Sequence, residues 1–523
     1  MREKLNTFLN SDFFIWVIAL LVGLVWGLKV ELVGLICLAV LACTFLLANR
    51  IRPAISLLVL VSFAPTFTQI PGEYNRGDIQ LGGDYLIGLI LLVAAFTAAV
   101  ICCAVRLVKS RKELPKQNSL SDSFVVCMLV MLLSGAFTEK FNFAQNLFSL
   151  SAMAAPFAVY LLFRLDRAEG FDRFIAKLIF AAGVLVSAEL CVYYCGVDSL
   201  LSAMQNKAIN LGWGISNNIA TVQAMGAVAV CYVYVRNKNW GYLVGAGLVA
   251  VAMLFTFSRG NILAFAMLFP FLVVALFVYG SQKKTTAIVL GGFAVLLAAA
   301  VVWQWDFLTQ AFEKLVERGF SDSGRRLLWG QYLGAFAQNP LLGNGYYETN
   351  GMLAQPHAAM IILLNGSGIC GMLAFLYHYY KRYRVLFTHK GALTAFAALT
   401  VFPNFFYSCT DMNFFMTYDT MMVLGILEAC VKQTDAARNL KCLYRWKEKT
   451  YVAIFALGVV LAVFGFVYAA NAPYETPNGL TISYGSYLLI FGSFAAAAYL
   501  TIPVMERFFG KRERDLLSQP KTE

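Results

Sequence analysis

Residues 285–305 read TTAIVLGGFAVLLAAAVVWQW, with no charge in the run. About 18 or more apolar residues are enough to cross the hydrocarbon core of a bilayer as a helix. Directly after this run, Asp306 to His357 forms the longest polar segment of the chain. It is about 50 residues long, where most connections are short. The contrast between the two stretches sets the expected fold: an all-α polytopic membrane protein with one large extracytoplasmic loop.

The rest of the chain repeats the apolar pattern. Sixty per cent of the 523 residues are hydrophobic and 13% are charged, about half the charged fraction of a soluble domain. The apolar runs are continuous and do not alternate, which excludes a β-barrel. About 16 transmembrane helices are expected by length, over residues 12–28, 30–48, 54–70, 85–107, 122–138, 147–163, 174–195, 218–235, 240–257, 262–280, 285–305, 358–380, 392–409, 414–431, 451–470 and 484–504. Met1 to Gly27 has a basic start but no small-residue cleavage site, so it reads as an uncleaved anchor. No CxxC pair or Cys/His cluster is present, so neither a disulfide framework nor zinc is indicated.

Charge sets the expected orientation. Most of the 41 Lys and Arg residues fall in alternate connections, among them Arg106 to Lys116, Lys381 to Lys390, Lys432 to Lys449 and Arg507 to Lys521. Cytoplasmic loops are the ones enriched in Lys and Arg. Both termini are therefore placed in the cytoplasm and the 306–357 loop outside. The net charge of +12 is then a topological signal with some attraction to anionic membrane lipids, and nucleic acid is not a partner. The outer face has no supply of nucleotides, so chemistry there needs a substrate that arrives already activated.

Within the long loop, Phe307, Leu308, Ala311, Phe312 and Leu315 share one helical face, the pattern of a short amphipathic helix on the bilayer surface. A second helix follows Ser321-Asp322-Ser323, with Leu328, Tyr332, Ala335 and Phe336 at helical spacing, and ends at Asn339-Pro340. Gly343-Asn344-Gly345 is a turn.

Few residues on this face carry chemistry. Arg325 and Arg326 begin the second helix, where the dipole disfavours cations but free N–H groups favour phosphate. Arginine also grips phosphate bidentately. Headgroup anchoring, or pairing with Glu313 or Glu317, is the alternative. Arg259 lies in the short turn Ser258-Arg259-Gly260-Asn261 between two apolar runs. A charge there is costly unless paired or functional, although it also suits snorkelling to lipid headgroups. His357 is the one histidine of three on the outer side. It can take a proton from a hydroxyl near neutral pH, or be a satisfied interfacial side chain. No second ligand stands at metal spacing, so no metal is expected. Asn217 and Asn218 can hydrogen-bond a sugar or phosphate, or cap a helix. Gly366, Gly368 and Gly371 read as helix packing.

In order and spacing, Asn218, Ser258-Arg259-Gly260, Ser323-Gly324-Arg325 with Trp329, Pro340-Leu341-Leu342-Gly343-Asn344-Gly345, His357, and Gly368 with Gly371 together resemble the O-antigen ligase/polymerase family of bacterial envelope glycosyltransferases. The resemblance runs from about residue 210 to 375. It departs from the family pattern at Ala358, where an asparagine usually follows the histidine, and at Arg326, an additional arginine. The last two apolar runs exceed the usual family complement.

The resemblance implies a division into N-terminal transmembrane helices (1–209), a catalytic core with the external loop (210–380), and C-terminal helices with a basic tail (381–523). It implies an enzyme of the bacterial plasma membrane, acting outside. It would transfer a glycan from an undecaprenyl-diphosphate carrier to a glycan or glycolipid acceptor hydroxyl, as ligase or polymerase, without metal or cofactor and with inversion. Arg259 and Arg325 would hold the diphosphate and His357 would be the general base. Arg326, Asn217, Asn218, Trp329, Gly343 and Gly345 would contact substrate. Two other readings stand beside it. One is a polysaccharide-lipid transporter or flippase, though no internal repeat is evident. The other is a peptidoglycan-type glycosyltransferase with a loop acid, for which Glu348 is the late candidate.

Overall fold

The computed structural model describes residues 2–27, 50–63, 120–138, 150–166, 168–206, 209–211, 213–317, 325–346, 358–388, 391–408, 417–436, 474–476 and 479–481, with 141, 143 and 146. The helices among them are α1 Arg2–Leu9, α2 Asp12–Gly27, α3 Arg52–Val61, α4 Ser121–Leu132, α5 Ser151–Leu165, α6 Phe171–Cys195, α7 Leu200–Asn206, α8 Ser216–Asn237, α9 Gly241–Leu254, α10 Arg259–Tyr279, α11 Lys283–Trp303, α12 Trp305–Glu317, α13 Arg325–Gln338, α14 Ala359–Thr388, α15 Ala392–Ser408 and α16 Thr417–Ala436. Strands β1 Tyr474–Thr476 and β2 Gly479–Thr481 form one antiparallel pair.

Among the described residues the structure is all-α apart from this pair, but the expectation of about 16 membrane-spanning helices is corrected. Among the described residues, five helices are long and apolar enough to cross a membrane: α6, α8, α10, α11 and α14 up to Phe387. A sixth is gained if α1 and α2, bent by 67°, count as one span. The apolar helices Arg52–Val61, Ser121–Leu132, Pro156–Leu165, Gly241–Leu254 and Ala392–Tyr407 are shorter. At 1.5 Å per residue, a ten-residue helix covers about 15 Å, against a hydrocarbon core of about 30 Å. Apolar composition continues through turns that end the helices. Ser121–Leu132 stops at the turn 133–137, and Gly241–Leu254 at 255–256. α16 carries Asp419, Glu428, Lys432 and Asp435 along its length. The expected spans 30–48, 85–107, 451–470 and 484–504 lie outside the described residues.

α8 is the axis of the bundle. It packs against α6, α9, α10 and α15, and 94% of its apolar window is buried. For α11 the same share is 6%, with Val295, Leu296, Val302 and Trp303 exposed, a surface suited to lipid. Between apolar helices in lipid, close van der Waals packing replaces the hydrophobic effect as the driving force. Gly183 and Gly226 meet across the α6–α8 contact. A Cβ built on Gly226 would lie 3.0 Å from the Gly183 Cα.

Where α8 ends, a charged network bolts α3, α5, α6 and α16 together. Arg52 pairs with Asp166 at 2.7 Å and donates to the carbonyls of Ala168 and Glu169. Arg164 faces Glu428 at 3.5 Å, both nearly inaccessible. The Tyr232 hydroxyl donates to Asp172. Lys432 donates to the carbonyls of Phe163 and Asp166. Burial pushes its ammonium down to about 8, against the raising pull of Glu428 and Asp166.

α14 is broken. Gly368 has φ 64° and ψ −158°, which interrupts the helix. A break inside a membrane helix frees backbone groups that lipid cannot satisfy. The segment Pro340–Gly345 satisfies them. The N–H groups of Asn344 and Gly345 donate to the carbonyls of Asn365 and Gly366 at 2.6 and 2.9 Å. In return, Ile369 and Cys370 donate to the carbonyls of Pro340 and Leu341 at 2.8 and 3.1 Å. The expectation that Gly368 serves helix packing is thereby revised: it makes the break. The strap also accepts the N–H of Gly135 on the Leu342 carbonyl at 3.0 Å, which ties it to the turn after α4.

Two predictions follow from these contacts. At Gly343 (φ 66°) and Gly368 a Cβ would meet backbone at 2.5 and 2.4 Å. Gly343→Ala or Gly368→Ala should each cost at least about 2 kcal/mol, seen as a lower thermal midpoint in detergent. Gly291→Ala, where nothing lies within 4 Å, should leave the midpoint in place. If all three behave alike, the strap is not what holds the break. In the charged network, Arg164→Met or Glu428→Met alone should cost about 3–5 kcal/mol, and the double replacement should return close to wild type. Single variants with unchanged midpoints would contradict this.

Candidate functional site

At the end opposite the charged network, the start of α8 meets the turn that carries Arg259. The chain enters α8 by a tight turn, with the N–H of Leu211 on the carbonyl of Gly214 at 3.0 Å. Asn218 is buried, and its Oδ1 accepts the N–H of Ile215 at 3.3 Å. Asn217 is the hub. Its Oδ1 accepts the hydroxyl of Ser258 at 2.9 Å. Its carbonyl accepts Asn261 Nδ2 at 2.9 Å and Thr221 Oγ1 at 3.0 Å. Thr221 also donates to Asn261 Oδ1 at 3.0 Å. Ser258, Asn261 and Thr221 are all fully buried.

This network shapes the first turn of α10. Ser258 stands at the N-cap, but its side chain makes no cap hydrogen bond, because its hydroxyl is committed to Asn217. The first N–H groups of a helix have no intrahelical partner, and the helix α10 begins with Arg259. Phe257 just before has φ 52°, a left-handed conformation that costs a non-glycine residue about 1–3 kcal/mol and persists only where its surroundings impose it. At Gly260 a Cβ would lie 2.8 Å from the ring of Tyr407, so the turn sits directly on α15. Arg259 itself is half-buried.

The second assembly is α13 with the strap. Trp329 and Tyr332 are buried and Arg326 is half-buried. Arg325 begins α13; its side chain lies outside what is described. Asn344 joins the end of α13 to the break in α14. Its Nδ2 donates to the Ala335 carbonyl and to Asn365 Oδ1, both at 2.9 Å, and its Oδ1 accepts Asn339 Nδ2 at 2.6 Å. Tyr346 lies over Gly366 and shares a 2.7 Å hydrogen bond with Ser367. Burial pushes the Tyr346 phenol upward, and the Ser367 bond partly offsets this. Gly345 has φ 85°, and like Gly343 it belongs to this strap. The two assemblies share a neighbour, since α15 packs against both α10 and α14. His357 and Glu348 lie outside the described residues. Of the expected site residues, the structure thus joins Asn217 to the Arg259 turn and ties Gly343 and Gly345 to the broken helix, against which α13, the helix of Arg326 and Trp329, also packs.

Several polar residues here went unread in the sequence. Thr221 and Asn261 hold Asn217, and Asn344 and Asn365 hold the strap. Glu189 is a buried carboxylate on α6 that accepts the indole N–H of Trp213 at 3.1 Å. Trp213 in turn packs edge-on against Phe63 and Tyr418, with ring centroids 5.1 Å away in each case. Glu189 was findable, as an acid inside an apolar run is a functional signal by default. Among the described residues no group of three or more His, Cys, Asp or Glu is placed to hold a metal.

No curated protein matches the chain. One family model, described as O-antigen ligase, matches residues 244–376. The matched stretch contains the Arg259 turn, α13, the strap and the break in α14, and begins after Asn217 and Asn218. Over residues 244–376 the chain is similar to the O-antigen ligase family.

Proposed function

We propose that this membrane enzyme of the O-antigen ligase/polymerase type transfers a glycan from undecaprenyl diphosphate to an acceptor hydroxyl on the outer face of the bacterial plasma membrane. The observation that carries the reading is Arg259. Within the family match, it is the first residue of a helix whose start is held by a buried network of uncharged polar groups. Such a position favours an anion through both the side chain and the backbone N–H groups.

In this reading Arg259 and Arg325 hold the diphosphate and offset the charge that develops as it departs, the usual electrostatic route to rate. His357 accepts the proton of the acceptor hydroxyl. That oxygen attacks the anomeric carbon, the bond from carbon to the diphosphate oxygen breaks, and undecaprenyl diphosphate leaves with the electron pair. Attack from the opposite side inverts the centre. Arg326, Asn217, Asn218 and Trp329 border the donor, and Gly343 and Gly345 shape the strap beside it. No step is assigned to a metal.

A transporter also uses broken helices, whose freed backbone groups bind substrate or ion. Here the groups freed at Gly368 are taken by the strap, which favours the transferase. Turnover separates the two, since a transferase releases free undecaprenyl diphosphate and a flippase leaves the glycosidic bond intact.

Arg259→Ala, Arg325→Ala and His357→Ala should each lower release of undecaprenyl diphosphate at least about 100-fold, assayed with full-length protein in liposomes and lipid-linked glycan, while membrane insertion is unchanged. Near-normal turnover in all three would remove the site assignment. The same assay should be indifferent to EDTA; loss of turnover that Mg²⁺ or Mn²⁺ restores would put a metal in the mechanism.

A further inference from the structure

Phe257, the second residue before Arg259, lies between two anchored neighbours. It has φ 52° and its ring is buried. On one side of it, the Ser258 hydroxyl is tied to Asn217. On the other, the hydroxyl of Tyr194, in the last turn of α6, donates to the Phe255 carbonyl at 2.5 Å. We propose that Tyr194 is a positioning residue for Arg259, fixing the left-handed step at Phe257 from which the chain enters α10; this rests on the reading of Arg259 as a residue that holds the diphosphate.

Three observations carry this. First, the last carbonyls of a helix lack partners within it, and Phe255 closes α9. The turn itself satisfies two of them, since the N–H of Thr256 donates to Met253 at 3.1 Å and that of Phe257 to Leu254 at 3.2 Å. The Phe255 carbonyl takes its bond from a different helix, so the path of the turn is set from outside it. Second, Phe257 and Met204 of α7 form a small buried cluster, against which Tyr194, Leu201 and Phe307 of α12 pack. α7 is held to α12, with Gln205 donating to the Gln310 carbonyl at 2.8 Å. The Phe257 ring is thus flanked from α6, α7 and α12. Third, positive φ at a non-glycine residue persists only where its surroundings over-determine it. Phe255 held by Tyr194, Ser258 held by Asn217 and a confined ring supply that constraint. Releasing the Phe255 carbonyl lets Phe257 relax toward an ordinary backbone conformation, and Arg259, two residues on, moves with it. Tyr194 therefore acts through Arg259.

The test is a double-mutant cycle on full-length protein in liposomes, read as binding of undecaprenyl diphosphate. Tyr194→Phe keeps the ring and its packing and removes only the hydroxyl. It should weaken binding about 10-fold in the wild-type background and have no further effect in Arg259→Ala. Glycine adopts positive φ at no steric cost, so Phe257→Gly added to Tyr194→Phe should recover part of the loss. Unchanged binding in Tyr194→Phe, where Arg259→Ala does weaken it, overturns this inference alone. So does a loss that persists at full size in the Arg259→Ala background, or one that Phe257→Gly does not relieve. If Arg259→Ala itself leaves binding unchanged, the diphosphate reading of Arg259 falls and this inference falls with it.

Discussion

Four backbone hydrogen bonds between Pro340–Gly345 and Asn365–Cys370 hold this architecture where its helix α14 is broken. In a bilayer, a helix interrupted at Gly368 would leave carbonyls and N–H groups facing hydrocarbon, each costing several kcal/mol. The strap supplies partners in both directions. It needs Gly343 because any side chain there would enter the backbone of residues 365–367. The glycines of the strap and of α14 are therefore parts of one contact. Through that contact, α13 is tied to the helix that follows His357.

The described bundle is polarised. At one end, ion pairs and charged hydrogen bonds join α3, α5, α6 and α16. At the other, Asn217, Thr221, Ser258 and Asn261 satisfy one another without charge, and Arg259 stands at the edge of this network. The strained backbone at Phe257 fits a turn whose shape is imposed by its surroundings.

Class and family were legible in the sequence for different reasons. Apolar runs report solvent, so the helical membrane class follows from composition. The ordered motifs between Ser258 and Gly371 carry the family resemblance, and the family model matches over 244–376. The number of spans was not legible, because hydropathy does not register where a helix turns. The run after Gly241 stays apolar through Phe255 and Phe257 although the helix has ended at Leu254. The break at Gly368 was hidden likewise, since a glycine in an apolar helix reads as a packing site. The partners of Asn217 come from α10, some 40 residues further along the chain, and only the folded chain brings them together.

The most direct test is to locate the diphosphate on the protein. A photoactivatable analogue of undecaprenyl diphosphate, irradiated with the full-length protein in liposomes, is mapped by mass spectrometry of the labelled peptides. The account predicts label on the peptides bearing Arg259 and Arg325 to Trp329, lost when unlabelled undecaprenyl diphosphate is added in excess. Label confined to the basic segment 432–449, or spread over the lipid-facing side of α11 and indifferent to the competitor, would contradict it.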